Sequence, residues 1–371
     1  MNVLAIEGYY GGSHKAFLDG WMGRSRHQWT LFTLAANKWK WRMRHGAITF
    51  ARQVERLAGQ GGCWDVLFCS DMLNLAEFVG LAGEVVRRLP KVVYFHENQL
   101  TYPMRVESER DYQYVMTNLT TALAADAVWF NSAFHRDEFL AALRTFLRRM
   151  PDNQPLDAVE EIACRSAVHP PGIEPFERHR RRAPGPLHVL WAARWEHDKN
   201  PEDFFAAMKI LKDKGVDFCL SVIGEQFREA PEVFSWAREY FAGQIVRWGW
   251  QETREAYRDA LMDADVVVST ANHEFFGISV VEAIASGAYP LLPRRLAYPE
   301  ILGEIGGADL GDFSYDGTAK DLADRLCNLD FNYRDFSISY SLGELACRVN
   351  RRYGWGNVAD RLDEELEACT V

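Results

Sequence analysis

Strand-like and helix-like segments alternate from one end of this chain to the other, and that alternation does most to narrow the fold. Such a rhythm marks βαβ units and parallel sheets. In the first half the strand-like runs are Val3–Glu7, Trp29–Leu34, Val66–Ser70, Val92–His96 and Ala127–Asn131, with helical stretches that include Leu73–Leu89 and Tyr112–Ala125. The second half repeats the logic with Leu187–Ala192, Phe218–Ile223, Gln244–Trp248, Val266–Thr270 and Tyr289–Leu292. At 371 residues the chain exceeds one core of typical size. Two Pro/Gly breaks, His169-Pro170-Pro171-Gly172 and Ala183-Pro184-Gly185-Pro186, flank a basic run at Arg178–Arg182 and read as a linker. The expected class is therefore α/β: two doubly wound domains, 1–170 and 187–352, facing across a cleft and joined by 171–186. A tail over 353–371 has apolar residues at helical spacing (Val358, Leu362, Leu366) and must pack on something.

Ligands of open α/β sheets sit outside the carboxyl ends of the strands, where helix N-termini offer free amide hydrogens to anions. The run Ala264-Asp265-Val266-Val267-Val268-Ser269-Thr270 reads as a buried parallel strand, and Ile278 to Ser286 as a helix closed by Gly287. Between them lies His273-Glu274-Phe275-Phe276-Gly277. Glu274 is thus expected on the strand-end rim, and Glu282, eight positions on, in the first turns of the helix behind it. Amides for phosphate and carboxylates for hydroxyls suit a phosphorylated, hydroxyl-rich ligand.

Three further strand ends carry chemistry. Gly8-Tyr9-Tyr10-Gly11-Gly12-Ser13-His14 follows the first strand and opens a helix, where glycines let backbone approach a phosphate. It is neither G-x-G-x-x-G nor a P-loop, so nicotinamide and ATPase chemistry gain no support, and a tight turn needs glycine in any case. Trp191-Ala192-Ala193-Arg194-Trp195-Glu196-His197-Asp198-Lys199 places two cations, Arg194 and Lys199, on a loop where a diphosphate leaving group would need them; the bland alternative is a solvated basic loop. His96, Glu97 and Asn98 end a buried strand together, which favours substrate contact over a single structural histidine. Elsewhere, Lys38-Trp39-Lys40-Trp41-Arg42-Met43-Arg44-His45 interleaves cations with indoles. RNA bases stack on aromatics and guanidinium planes while cations meet phosphates, so this stretch is the best RNA-contact candidate, with an amphipathic surface helix as the alternative. Arg144–Arg149 and Arg178–Arg182 either extend that surface or are solvated.

Composition removes several classes. Apolar and charged fractions of 48% and 25% exclude wholesale disorder. Seven scattered cysteines with no C-x-x-C pair indicate a reducing compartment, with neither a disulfide framework nor a zinc site. The first residues, Met1 to Glu7, read as a strand rather than a signal peptide, and no apolar run is long enough to span a bilayer. A net charge of −10 argues against indiscriminate nucleic-acid binding but leaves room for a local basic surface. The expectation is a cytoplasmic protein; nothing in the sequence specifies an oligomeric state.

Taken together, Glu274-x7-Glu282, Arg194 with Lys199, the Gly11-Gly12 loop and twin α/β halves resemble the retaining GT-B glycosyltransferases, with two Rossmann-like domains, over the whole chain. Finer wording, namely Glu7-Gly8-Tyr9-Tyr10-Gly11-Gly12-Ser13-His14-Lys15, Lys38-Trp39-Lys40-Trp41-Arg42, Tyr94-Phe95-His96-Glu97-Asn98-Gln99-Leu100 and His273-Glu274-Phe275-Phe276-Gly277, is similar to the tRNA-queuosine α-mannosyltransferase branch. That resemblance implies transfer of mannose from GDP-mannose to queuosine at the wobble position of tRNA-Asp. It implies that Glu274 holds donor-sugar hydroxyls, helped by the amides of Phe276, Gly277 and Ile278, and that Glu282 binds the ribose. Arg194 and Lys199 would neutralise the diphosphate, with Gly11 and Gly12 approaching from the other domain. His96 would stand beside the sugar, and Trp248 with Gly249 against the base. His14, Glu97, Asn98, Lys38, Trp39, Lys40, Trp41, Arg42 and Arg44 would face the tRNA, and the tail after Trp355 would cross back onto the first domain. No metal and no cofactor beyond the nucleotide-sugar co-substrate is implied. Asp263-Ala264-Asp265 spells the D-x-D of metal-dependent sugar transferases, but its place between a helix and a buried strand marks it as coincidence. Two other readings stay open: a transferase of this fold with another donor or a lipid or glycan acceptor, and a nucleotide-sugar-dependent RNA-binding protein without turnover.

Overall fold

The computed structural model describes the chain except for residues 104–109, 177–184, 228, 307–312, 333–335 and 371; the basic run Arg178–Arg182 lies outside the described residues. The fold divides into two compact units. One comprises Met1–Gly172 with Trp355–Val371, the other Ile173–Gly354. Among the described residues each unit is built on one six-stranded sheet, and every strand pairing is parallel.

In the first unit the strands are β1 (Asn2–Tyr10), β2 (Gln28–Ala35), β3 (Val66–Ser70), β4 (Lys91–Phe95), β5 (Ala127–Phe130) and β6 (Ser166–Val168). They lie in the order β2-β1-β3-β4-β5-β6. Helices α1 (Gly12–Met22), α2 (Trp39–Ala58), α3 (Leu75–Leu81), α4 (Glu84–Arg87), α5 (Tyr112–Ala124), α6 (Ala133–Leu147) and α7 (Asp157–Cys164) connect them. The central strands are sequestered throughout, as parallel strands covered on both faces must be: Val3, Leu4, Ala5, Val66, Leu67, Val92 and Val93 have no exposed surface.

The second unit carries β7 (Leu187–Ala192), β8 (Phe218–Ile223), β9 (Ile245–Gly249), β10 (Val266–Val268), β11 (Tyr289–Pro293) and β12 (Ser314–Tyr315), ordered β12-β11-β10-β7-β8-β9. Its helices are α8 (Pro201–Asp213), α9 (Val233–Tyr240), α10 (Arg254–Asp263), α11 (Ile278–Ala285), α12 (Tyr298–Gly306), α13 (Ala319–Asn332) and α14 (Phe336–Tyr353). A final helix, α15 (Trp355–Ala368), belongs to the first unit and packs on α1. Its Trp355 indole lies over Gly20 and Gly172, where a Cβ would come within 2.1 and 2.3 Å of the ring. Farther along, the buried Asp363 carboxylate accepts hydrogen bonds from Trp21 Nε1 (2.7 Å), Ser25 Oγ (2.8 Å) and the Arg26 amide (2.8 Å).

The structure corrects the sequence reading in two ways. The stretch Leu73–Leu89 is not one helix. Ala82 is extended (ψ 154°) and Gly83 starts afresh, so the hydrogen-bond ladder breaks between α3 and α4. The short strands β6 and β12, three and two residues long, carry too little sequence to show a period.

Both sheets have a point where strand order reverses. It falls at β1 in the first unit, with β2 on one side and β3 on the other, and at β7 in the second, between β8 and β10. Ligand sites of doubly wound sheets form at the strand ends there.

Candidate functional site

In the second unit the loops leaving β7 and β10 meet at this reversal, and Lys199 ties them together. Its Nζ donates to His273 O (2.8 Å) and Glu274 Oε2 (3.1 Å) and lies 3.2 Å from Asp198 Oδ2. The backbone repeats the link: the amides of Asn272 and His273 donate to Asp198 O, and Thr270 Oγ1 donates to Lys199 O. An ammonium has three N–H groups. Two of these contacts are hydrogen bonds and the Asp198 contact is an ion pair, so Lys199, only 6% exposed, keeps one N–H outside these bonds in a largely buried setting. Arg194 is the more accessible cation, its side chain 41% exposed and 3.2 Å from Glu196 Oε2. Burial and the Lys199 charge push the His273 imidazole down to about 4, so it is neutral at physiological pH.

Glu274 keeps a quarter of its side chain exposed beside Lys199. Gly277 then caps α11 in the left-handed region (φ +88°), and a Cβ there would stand 3.1 Å from the Tyr298 ring and 3.4 Å from Glu274 Cγ. Glycine is thus needed both for the turn and for room beside the carboxylate. Ser279 Oγ donates to Ala192 O (2.7 Å) and fixes α11 against the end of β7. A narrow crevice lined by Trp191, Ala193, Lys199, Glu274, Ser279 and Tyr298 results. It combines a carboxylate, a cation and the amide end of a helix. Glu282, on the second turn of α11, accepts from Tyr257 Oη at 2.7 Å, and burial raises its carboxyl while the Tyr257 bond and Arg254 lower it.

Trp248 packs edge-on to Trp195 (5.1 Å between centroids), which itself stacks on Phe234 at 3.9 Å. Gly249 (φ +85°) follows, with Gln226 Nε2 2.2 Å from where a Cβ would be. The indole of Trp248 is thus partly committed to this aromatic cluster. The open aromatics near it are Trp250, 64% exposed, and Phe227, 40% exposed, neither of which the sequence reading singled out.

At the reversal in the first unit, Gly11 and Gly12 are required for different reasons. A Cβ on Gly11 would strike Ala36 at 2.3 Å, whereas Gly12 sits at φ +51° with nothing within 4 Å of its missing side chain. The Gly12 backbone is therefore open at the start of α1. Two residues on, buried His14 places Nδ1 3.2 Å from Glu7 Oε2. Glu7 Oε1 accepts from the Tyr9 amide (2.7 Å) and Ser70 Oγ (3.0 Å). Burial alone would depress the His14 imidazolium, but Glu7, Asp71 and Glu97 outweigh it and hold the group up at about 9. His96 lies against that ring, centroids 4.0 Å apart, and burial together with the His14 charge drives its own value well down. The pair is thus one charged and one neutral imidazole. Asp71, whose Oδ1 accepts from the His96 amide (2.9 Å), is pushed up by burial.

Glu7 and Asp71 were not anticipated from sequence. Asn98, expected at the acceptor, is fully buried: its Oδ1 accepts from the Leu100 and Thr101 amides and its Nδ2 donates to Thr101 Oγ1, so it builds the loop instead. Glu97 remains partly exposed and accepts from Gln99 Nε2 (3.0 Å).

The Lys38–His45 stretch opens α2, with Lys38 at φ 49° as its cap. Lys38, Lys40 and Trp41 point to solvent, the indole of Trp41 60% exposed. Trp39 packs on Tyr114 (5.0 Å). Arg42 is turned inward: it donates to Ala35 O, Asn37 Oδ1 and His45 Nε2 and braces the β2–α2 turn. Arg44 lies over the Tyr114 ring at 5.2 Å. Of the expected RNA-facing cations, Arg42 is therefore a brace and the two lysines are the outward charges.

Asp263 and Asp265 both have local partners: Asp263 pairs with Arg247 (2.8 Å), and Asp265 accepts from the His188 amide (2.8 Å). Among the described residues one group has metal-ligand composition, Glu7 with His14 and His96, their ligand atoms within 4.8 Å of one another. Both Glu7 oxygens already have protein partners, so the arrangement reads as an ion pair. No helix among the described residues is long and apolar enough to cross a membrane.

Comparison with known proteins bears on the family and the fold. A family model described as "tRNA-queuosine alpha-mannosyltransferase N-terminal" matches residues 2–173, and "Glycosyl transferases group 1" matches 174–326. A tRNA-queuosine alpha-mannosyltransferase of Drosophila melanogaster is 38% identical over 312 residues, 81% of each chain. A GDP-mannose-dependent alpha-(1-6)-phosphatidylinositol dimannoside mannosyltransferase of Mycobacterium tuberculosis is 26% identical over 202 residues, 52% of this chain and 47% of that one. Among solved structures, sucrose-phosphate synthase from Thermosynechococcus elongatus superposes with a TM-score of 0.71 at 15% identity, covering 99% of both chains. That likeness establishes the fold, GT-B.

Proposed function

The chain belongs to the tRNA-queuosine alpha-mannosyltransferase family of glycosyltransferases, and we propose that it moves mannose from GDP-mannose to queuosine at the wobble position of tRNA-Asp. The proposed reaction proceeds with retention, without a metal ion, and in the cytoplasm. The observation that supports it most is Glu274, held by Lys199 at the strand-order reversal beside the N-terminus of α11, with Arg194 on the same loop as Lys199. A relative bearing a GDP-mannose-dependent activity favours that donor.

In the proposed step the bond between the sugar C1 and the diphosphate oxygen breaks while a bond from C1 to a queuosine hydroxyl oxygen forms on the same face. The hydroxyl proton passes to the leaving diphosphate. Arg194 offsets the charge that grows on that leaving group, where stabilisation counts only if it strengthens toward the transition state. Lys199 holds Glu274, and Glu274 accepts from the sugar hydroxyls with the amides of Phe276, Gly277 and Ile278 nearby. Glu282, released in part from Tyr257, meets the ribose, and Trp248 with Gly249 borders the base. Gly12 offers open backbone to an anion, Gly11 lets the turn close on Ala36 beside it, and His96, kept neutral by its surroundings, serves the transfer as a hydrogen-bond partner. Glu97 and His14 border the acceptor, with Lys38, Trp39, Lys40, Trp41 and Arg44 along the RNA.

The test is to incubate the protein with queuosine-containing or queuosine-free tRNA and a panel of nucleotide sugars, with and without chelator, and to weigh the released nucleosides. The expected product is a hexose-bearing queuosine formed only from GDP-mannose, unaffected by chelator and lost in Glu274→Ala. Another donor, sugar on queuosine-free RNA, strict metal dependence or an active Glu274→Ala would each overturn the corresponding part.

A further inference from the structure

The first unit contains a cavity of about 380 Å³, within the roughly 300–1,000 Å³ typical of small-ligand pockets. Helix α6 forms one wall through Glu138, Ala142, Thr145 and Phe146, which recur at helical spacing; Thr101 and Tyr112 face them. The Tyr112 ring stacks on Phe146, centroids 5.3 Å apart and 16° from parallel, yet stays 42% exposed. It is a rigid aromatic plate with surface to spare. Thr101 hydrogen-bonds the Glu138 carboxylate, yet Oε2 itself is buried without a hydrogen-bond partner, a costly condition that an N–H donor would relieve. Arg110 and Arg149 also line the cavity, and Arg148 is exposed next to Arg149.

One helical turn connects this hollow to the outward lysines and Trp41. The start of α5 sends Tyr112 into the cavity and Tyr114 to α2, where Tyr114 packs on Trp39 and donates from its hydroxyl to Lys40 O (3.2 Å). An aromatic plate, a buried carboxylate oxygen and flanking guanidinium groups match a single nucleotide with its phosphates at the rim. A phosphate inside would be repelled by Glu138; an amino-bearing base would not.

We propose that this cavity takes an unpaired, amino-bearing base of the tRNA anticodon loop, a nucleotide other than queuosine, stacked on Tyr112 and donating its amino N–H to Glu138. The inference rests on tRNA being the acceptor. Uracil has no amino group, and its N3–H is flanked by two carbonyl oxygens that the carboxylate repels, so it fits the site less well and the cavity contributes to the choice among queuosine-containing tRNAs. Arg149, with exposed Arg148 beside it, meets the neighbouring phosphates and fixes the strand's direction, while Arg110 braces the wall by donating to Gln99 O (2.8 Å) and Tyr102 O (3.0 Å).

The experiment measures Kd for a queuosine-containing anticodon stem-loop RNA and for copies with each unpaired loop base removed in turn. Each is tested on the unaltered protein, Tyr112→Ala and Tyr112→Phe, with thermal midpoints confirming that the variants are folded. Tyr112→Ala is expected to weaken binding roughly five- to hundred-fold, the range for a lost base–aromatic stack, while Tyr112→Phe binds nearly as well as the unaltered protein. One abasic position should cost the unaltered protein affinity and cost Tyr112→Ala nothing, and uracil at that position should weaken the unaltered protein but not Glu138→Leu. If every abasic position costs both proteins equally, the subsite is refuted while the acceptor reading stands. If the unaltered protein binds no stem-loop at all, the acceptor reading falls, and this inference with it.

Discussion

A charged residue inside an apolar strand is a commitment, and Glu7 shows what it secures. Its carboxylate takes the Tyr9 amide, the Ser70 hydroxyl and the His14 ring, so His14 carries a proton that free histidine would lose near neutrality. The folded-state value of about 9 lies above the ordinary 6.5. This stabilisation is therefore complete below pH ~6.5 and is lost as pH rises through about 9. The raised Asp71 acts in the same direction, since the folded state again holds the extra proton. Glu7→Gln should lower the urea midpoint at pH 6 and flatten its fall between pH 6.5 and 9; an unchanged slope would refute the pairing. Sequence inspection singled out His14, His96 and Glu274 because each follows a strand end. It missed Glu7 because the role arises from register: Ile6 pairs with Cys69, which brings Glu7 alongside Ser70, distant in sequence. The one available signal was a carboxylate closing an apolar run, with a histidine seven residues on.

Elements add a division of labour that residue types alone conceal. The four cations that open α2, Lys38, Lys40, Arg42 and Arg44, look equivalent in sequence, but helical geometry turns Arg42 back onto the β2–α2 turn and leaves Lys40 outward. Lys40→Ala should therefore make the logarithmic salt dependence of tRNA binding shallower by about 0.7, one phosphate contact on single-stranded RNA, without altering the thermal midpoint. Arg42→Ala should lower the thermal midpoint, an effect of about 1–2 kcal/mol for a charged brace removed. Equal salt slopes in Lys40→Ala and the unaltered protein would remove this helix from the RNA surface. The long βαβ rhythm was legible because β1, β3, β4, β7 and β8 are buried on both faces and so are written mostly in apolar residues. The break within Leu73–Leu89 was not, since Gly83 is tolerated in helices and only its extended neighbour Ala82 ends the ladder.

For the whole molecule the decisive contact is α15 on the first unit. Its amphipathic pattern announced that it must pack, while its partner surface is defined by Gly20 and Gly172 making room for an indole, a fit no periodicity encodes. Asp363 then closes the contact with three donors. Asp363→Ala leaves those donors unmet, at about 3 kcal/mol or more, and should lower the unfolding transition reported by hydrogen exchange in β1 and β3. Exchange in β7 and β10 should be unaffected; equal loss in both sheets would mean that the two units unfold as one. The same contact governs the order in which a nascent chain can complete itself. The strands of the first unit leave the ribosome early, but the helix that covers Phe17, Leu18 and Trp21 is made only after the entire second unit. The second unit is contiguous and can close its core first, while an indole-lined face waits uncovered through most of synthesis.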